Sequence, residues 1–138
     1  MFDFTFSINC LAVLVAAIVN FVIGAAWHGP LFGKHWMRLA GITHENMKAM
    51  KMTPKKAMTL GFVSVLVMTY VLAYFINALN ITDVVGVFMF TFLVWLGFFA
   101  TTLANSVLWE GKSAKLYLFN IAYQFVSLLI TISILAFW

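Results

Sequence analysis

The chain has 138 residues, of which 64% are hydrophobic, 17% aromatic and only 9% charged, with a formal net charge of +4. Soluble domains carry about 25% charged and about 45–50% apolar residues, and a folded chain of roughly 150 residues still leaves about 30% of its unfolded surface in water. This composition, with a mean hydropathy of +1.04, excludes an ordinary soluble enzyme, a disordered protein and a disulfide scaffold, and predicts an all-α polytopic membrane protein.

The first apolar run extends roughly from Phe4 to Trp27 with no charge inside it. Crossing about 30 Å of hydrocarbon takes about 20 mostly apolar residues. Lipid offers the backbone no water, so such a run must satisfy its own hydrogen bonds as a helix. It does not alternate, and it exceeds the roughly 9–11 residues of a barrel strand. No Lys or Arg precedes it, so it does not read as a cleavable signal peptide. Cys10 is the single cysteine and can build neither an internal disulfide nor a cysteine metal site. Ala12, Ala16, Asn20, Gly24 and His28 recur every four residues and form one helix face. Small side chains let a second helix come close, and Asn20 can hydrogen-bond across the contact.

Residues 28–56 are too long for a plain turn. Leu31, Phe32, His35, Trp36 and Leu39 recur at helical spacing among Lys34 and Arg38, and Gly41 stands where a C-cap belongs. Thr43 can cap a second short helix carrying Met47, Lys48, Met50 and Lys51, which ends before Pro54. Both read as amphipathic helices in the headgroup layer, anchored by Lys34, Trp36 and Arg38; a docking surface or a lid is the functional alternative. His44, Met47, Met50 and Met52 form a soft thioether set of the kind that suits copper(I). Methionine also fills apolar gaps, and the neighbouring lysines repel a cation. His28, His35 and Glu110 offer an imidazole and carboxylate set. Neither set is assigned a metal.

Thr53 and Pro54 suit the start of the second span, roughly Ala57 to Leu79, because proline at a first helical position loses no bond. This span carries Gly61, Ser64, Tyr70 and Tyr74. Asn80–Asp83 makes a tight reversal, with Thr82 or Asp83 as cap. The third span, roughly Val84 to Leu108, carries Gly97, Thr101 and Asn105 at four-residue spacing, continued by Trp109. Residues 110–113 link it to the fourth span, roughly Leu116 to Phe137, with Asn120, Gln124, Ser127 and Thr131.

All eight basic residues lie between the first and second spans (Lys34, Arg38, Lys48, Lys51, Lys55, Lys56) or between the third and fourth (Lys112, Lys115). Short basic loops stay in the cytoplasm. Both termini and the Asn80 turn are therefore expected outside, and the excess positive charge serves topology and attraction to anionic headgroups rather than nucleic acid. Asn20 then lies about 10 Å from the Trp27 end. Asn20, Ser64, Asn105, Asn120 and Gln124 are expected to share one level in the inner half of the bundle, as helix contacts or as a polar cavity. Trp27, His28, Trp109 and Glu110 would form its cytoplasmic rim, with His28 and Glu110 meeting at the mouth.

The string from Trp27 to Met37 (Trp-His-Gly-Pro-Leu-Phe-Gly-Lys-His-Trp-Met), followed by Gly41, resembles the signature loop of a family of small bacterial four-span membrane proteins known only as a domain of unknown function. Gly97–Thr102 and Trp109-Glu110-Gly111 resemble it too. The resemblance covers nearly the whole chain and implies the four-span fold. It implies no activity, substrate or cofactor.

The residues supply no catalytic signature: there is no Gly-x-Ser-x-Gly elbow, no His-Glu-x-x-His and no phosphate-cradling glycine loop. No acidic residue lies mid-span to relay protons. No enzyme activity and no cofactor are expected. The expected setting is the bacterial inner (plasma) membrane, with the lipid bilayer and a second copy or a larger membrane protein as partners. The leading function is a structural or accessory subunit or self-associating bundle. The alternative is a small transporter or channel for a small polar solute, acting as an oligomer.

Overall fold

Four helices in the computed structural model are long and apolar enough to cross a bilayer: Cys10–Leu31, Pro54–Ala78, Val84–Leu108 and Ala114–Phe137. The structure describes residues 7–138. The expected start of the first span at Phe4 lies outside them. No strand occurs among the described residues. The chain is a multi-pass all-α membrane protein, as the sequence predicts.

Local chemistry sets the helix ends. Asn9 accepts a hydrogen bond from the Ala12 amide, Thr53 from Lys56 and Asp83 from Gly86, each at the start of a span. Such caps occupy amides that the helix cannot pair internally. The loop forms two short helices, Gly33–Ala40 and His44–Lys48. Gly41 closes the first with a left-handed φ of 69°, which an L side chain would disfavour. Thr43 caps the second through the Asn46 amide. Two expectations shift here. Leu31 and Phe32 precede the first short helix rather than lying within it, because Pro30 and the non-helical Gly29 break the chain there. The second helix ends at Lys48, so Met50 and Lys51 lie beyond it.

The fourth span is central. It packs against the first, second and third, and the first also packs against the second. Leu72, Ile76, Val87, Leu128 and Ile132 join the second, third and fourth spans in a buried core. Beside that core the second and third spans make little direct contact, although a tight turn joins them. Met68, Phe75, Phe90, Val94 and Phe98 line the apolar groove between them, about 430 Å³ in volume.

Two π-helical segments interrupt the α-helices, at Trp27–Leu31 and Trp95–Ala100. The second segment ties the third span to the fourth. The Trp95 indole N–H donates to the Ile121 carbonyl at 2.7 Å, and the Tyr117 hydroxyl donates to the Ala100 carbonyl at 2.6 Å.

Candidate functional site

The small-residue face of the first span is turned inward. Ala12, Ala16 and Asn20 are buried, and Gly24 lies against Tyr123 of the fourth span. Asn20 donates from its side-chain nitrogen to the Thr131 hydroxyl at 2.9 Å. Together with Thr69, Thr91 and Ser127, these two make a buried polar layer to which all four spans contribute. The hydroxyls of Thr69, Thr91, Ser127 and Thr131 donate to carbonyls of their own helices. Each of these hydroxyls is therefore bonded without water, and an inter-helix bond such as Asn20–Thr131 contributes about 0.6 kcal/mol on average.

This layer differs from the cluster expected from depth alone. Asn20 meets Thr131 rather than Asn120 or Gln124, which are half-buried nearer the start of the fourth span. Ser64 is exposed and donates to the Leu60 carbonyl of its own helix. Asn105 is exposed on the third span. The five side chains do not converge. The reason is register: the fourth span begins well before the Trp27 level, so its mid-helix hydroxyls rather than its first amides face Asn20.

The rim is also divided. His28 holds the Gly24 carbonyl at 2.9 Å through Nδ1, and its ring meets Trp36 and Tyr123 edge-on at 5.1 and 4.8 Å. Glu110 lies 3.9 Å from Lys112, with most of its side chain exposed. Trp109 is 84% exposed. The expected meeting of His28 with Glu110 does not occur, because the first and third spans each pack on the fourth with little contact between them and His28 is turned toward Trp36 of the first short loop helix.

What the structure assembles instead is an aromatic knot at the end of the first span. Trp27 packs on Phe32, Phe119 and Tyr123 with ring centres 4.8, 5.8 and 5.9 Å apart. His35 also meets Phe119 at 5.7 Å. Offset and edge-on ring pairs add about 0.5–1.5 kcal/mol beyond burial. The Trp27 indole N–H is buried in this knot with no hydrogen-bond partner among the described residues. Phe119 and Tyr123 escaped the sequence reading, although their four-residue spacing places them on one helix face.

Of the expected anchors, Lys34 and Arg38 are exposed, whereas Trp36 is half-buried against His28. Lys34, His35 and Arg38 line a cavity of about 520 Å³ beside the knot. Met47, Met50 and Met52 share a separate cavity with Lys48. Any part that His44 plays there lies outside the described side chains. Among the described residues no three His, Cys, Asp or Glu side chains form a group that could hold a metal ion.

No curated protein matches the chain, and no solved structure does. The family model described as a protein of unknown function, DUF1761, matches residues 11–136, and the chain with its four apolar spans belongs to that family.

Proposed function

We propose that the protein is a self-associating helical bundle of the bacterial inner membrane, serving as a structural or accessory subunit rather than an enzyme. The observation that carries this reading is an outward stripe on the third span. Gly97, Thr101 and Asn105 recur every four residues, and all three are exposed. Nothing lies within 4 Å of where a Gly97 side chain would start. The Asn105 amide forms no side-chain hydrogen bond among the described residues. Small residues at this spacing let two helices approach closely, and an amide facing lipid gains from a partner. The hydroxyls of Thr69, Thr91, Ser127 and Thr131 are all bonded within the bundle, and Asn20 is bonded to Thr131, which argues against a water-filled path through one copy.

Cross-linking tests the reading. In a Cys10→Ser background, Thr101→Cys should form disulfide-linked dimers in membranes. Val67→Cys, on the 60% exposed outer face of the second span, should form few. Equal cross-linking at both positions would refute the stripe as an interface. Solute flux from pure protein in liposomes would instead support the transport reading.

The orientation belongs to the same proposal. Both basic stretches face the cytoplasm and both termini face outward. A reporter active only in the periplasm is expected to work when fused after Trp138 and to stay silent at Thr43. The reverse pattern would overturn the assignment.

A further inference from the structure

We propose that the cavity beside the aromatic knot binds the phosphate headgroup of an anionic phospholipid, through Lys34, Arg38 and His35. The cavity, about 520 Å³, is formed by the turn Gly29–Gly33 and the first half of the helix Gly33–Ala40. No carboxylate lines it. Lys34 and Arg38 form no ion pair among the described residues, although Lys112 does. At a spacing of four they share one helix face, about 5–6 Å apart at Cβ. An arginine fork can grip two phosphate oxygens while the lysine adds a point charge.

The site is held in shape by its surroundings. Gly29 kinks the chain with non-helical dihedrals, φ −121° and ψ −107°. Gly33 sits so close beneath the turn that an added Cβ would lie 3.0 Å from the His28 carbonyl oxygen. His35 and Trp36 pin the short helix to Phe119 and His28. Leu31 and Phe32 are 64% and 42% exposed beside the cations. Basic groups next to exposed apolar side chains match a ligand with a phosphate head and acyl chains, which argues for a membrane lipid over a free phosphate ester. The placement at the inner surface rests on the orientation proposed above, but binding by purified protein does not.

The test uses the full chain in detergent and native mass spectrometry, with dioleoylphosphatidylglycerol, dioleoylphosphatidylcholine and inorganic phosphate as probes. The protein should retain phosphatidylglycerol in preference to phosphatidylcholine. Lys34→Gln with Arg38→Gln should weaken that binding at least tenfold. Lys55→Gln with Lys56→Gln, an equal loss of charge outside the cavity, should change it less than twofold. Arg38→Lys keeps the charge and loses the fork, so it should weaken binding about threefold, and it supplies a readout if the double variant does not fold. Equal losses in the two double variants would overturn the site in favour of diffuse attraction. Equal retention of phosphatidylcholine, or displacement of phosphatidylglycerol by equimolar inorganic phosphate, would overturn the lipid assignment.

Discussion

Gly24→Ala is expected to destabilise the bundle by about 1–3 kcal/mol, the usual cost of overpacking a filled site, and Gly24→Leu by more. A Cβ at Gly24 would lie 2.7 Å from the Tyr123 hydroxyl oxygen and 3.5 Å from the ring carbon that bears it. The Tyr123 ring cannot simply move aside, because Trp27 and His28 pack against it at 5.9 and 4.8 Å. The cause can be isolated. In a Tyr123→Phe background the nearest remaining atom stands at ordinary contact distance. Gly24→Ala should then cost little or even stabilise, because alanine is favoured over glycine within a helix by about 1 kcal/mol. Unfolding by sodium dodecyl sulfate in mixed micelles measures all four proteins of this cycle. An equal cost of Gly24→Ala in both backgrounds would show that Tyr123 is not what limits residue 24.

Leu128→Ala should be comparably severe, about 2 kcal/mol or more. Leu128 is wholly buried where the second, third and fourth spans meet. In soluble cores such truncations cost about 2–5 kcal/mol, partly as lost transfer from water and partly as an unfilled cavity. A helix separated within the bilayer still has its leucine in hydrocarbon, so the transfer part shrinks and the lost packing remains. Leu118→Ala, at a 58% exposed position of the same helix, should change stability by only a few tenths of a kcal/mol. The same micelle titration compares them. Equal effects at the two positions would mean that the bundle core is not packed around Leu128.

The sequence by itself determined the spans, the caps and the presence of two short loop helices, though not the bounds of those two. Span length follows from bilayer thickness, and Asp83, Thr53, Thr43 and Gly41 act within a few residues of their own position. The inward face of the first span was legible for the same reason, since Ala12, Ala16 and Asn20 repeat with the helix period. Only the tertiary structure decided which faces meet. It placed the fourth span at the centre, brought Thr131 to Asn20, turned His28 toward Tyr123 instead of Glu110, and left Gly97, Thr101 and Asn105 facing outward. In water, burial of apolar area would have narrowed those choices. Between helices already in hydrocarbon it does not, because lipid tails are as apolar as leucine. Neighbours and register are then set by shape, such as the Tyr123 hydroxyl beside Gly24, and by single hydrogen bonds between residues up to 111 positions apart.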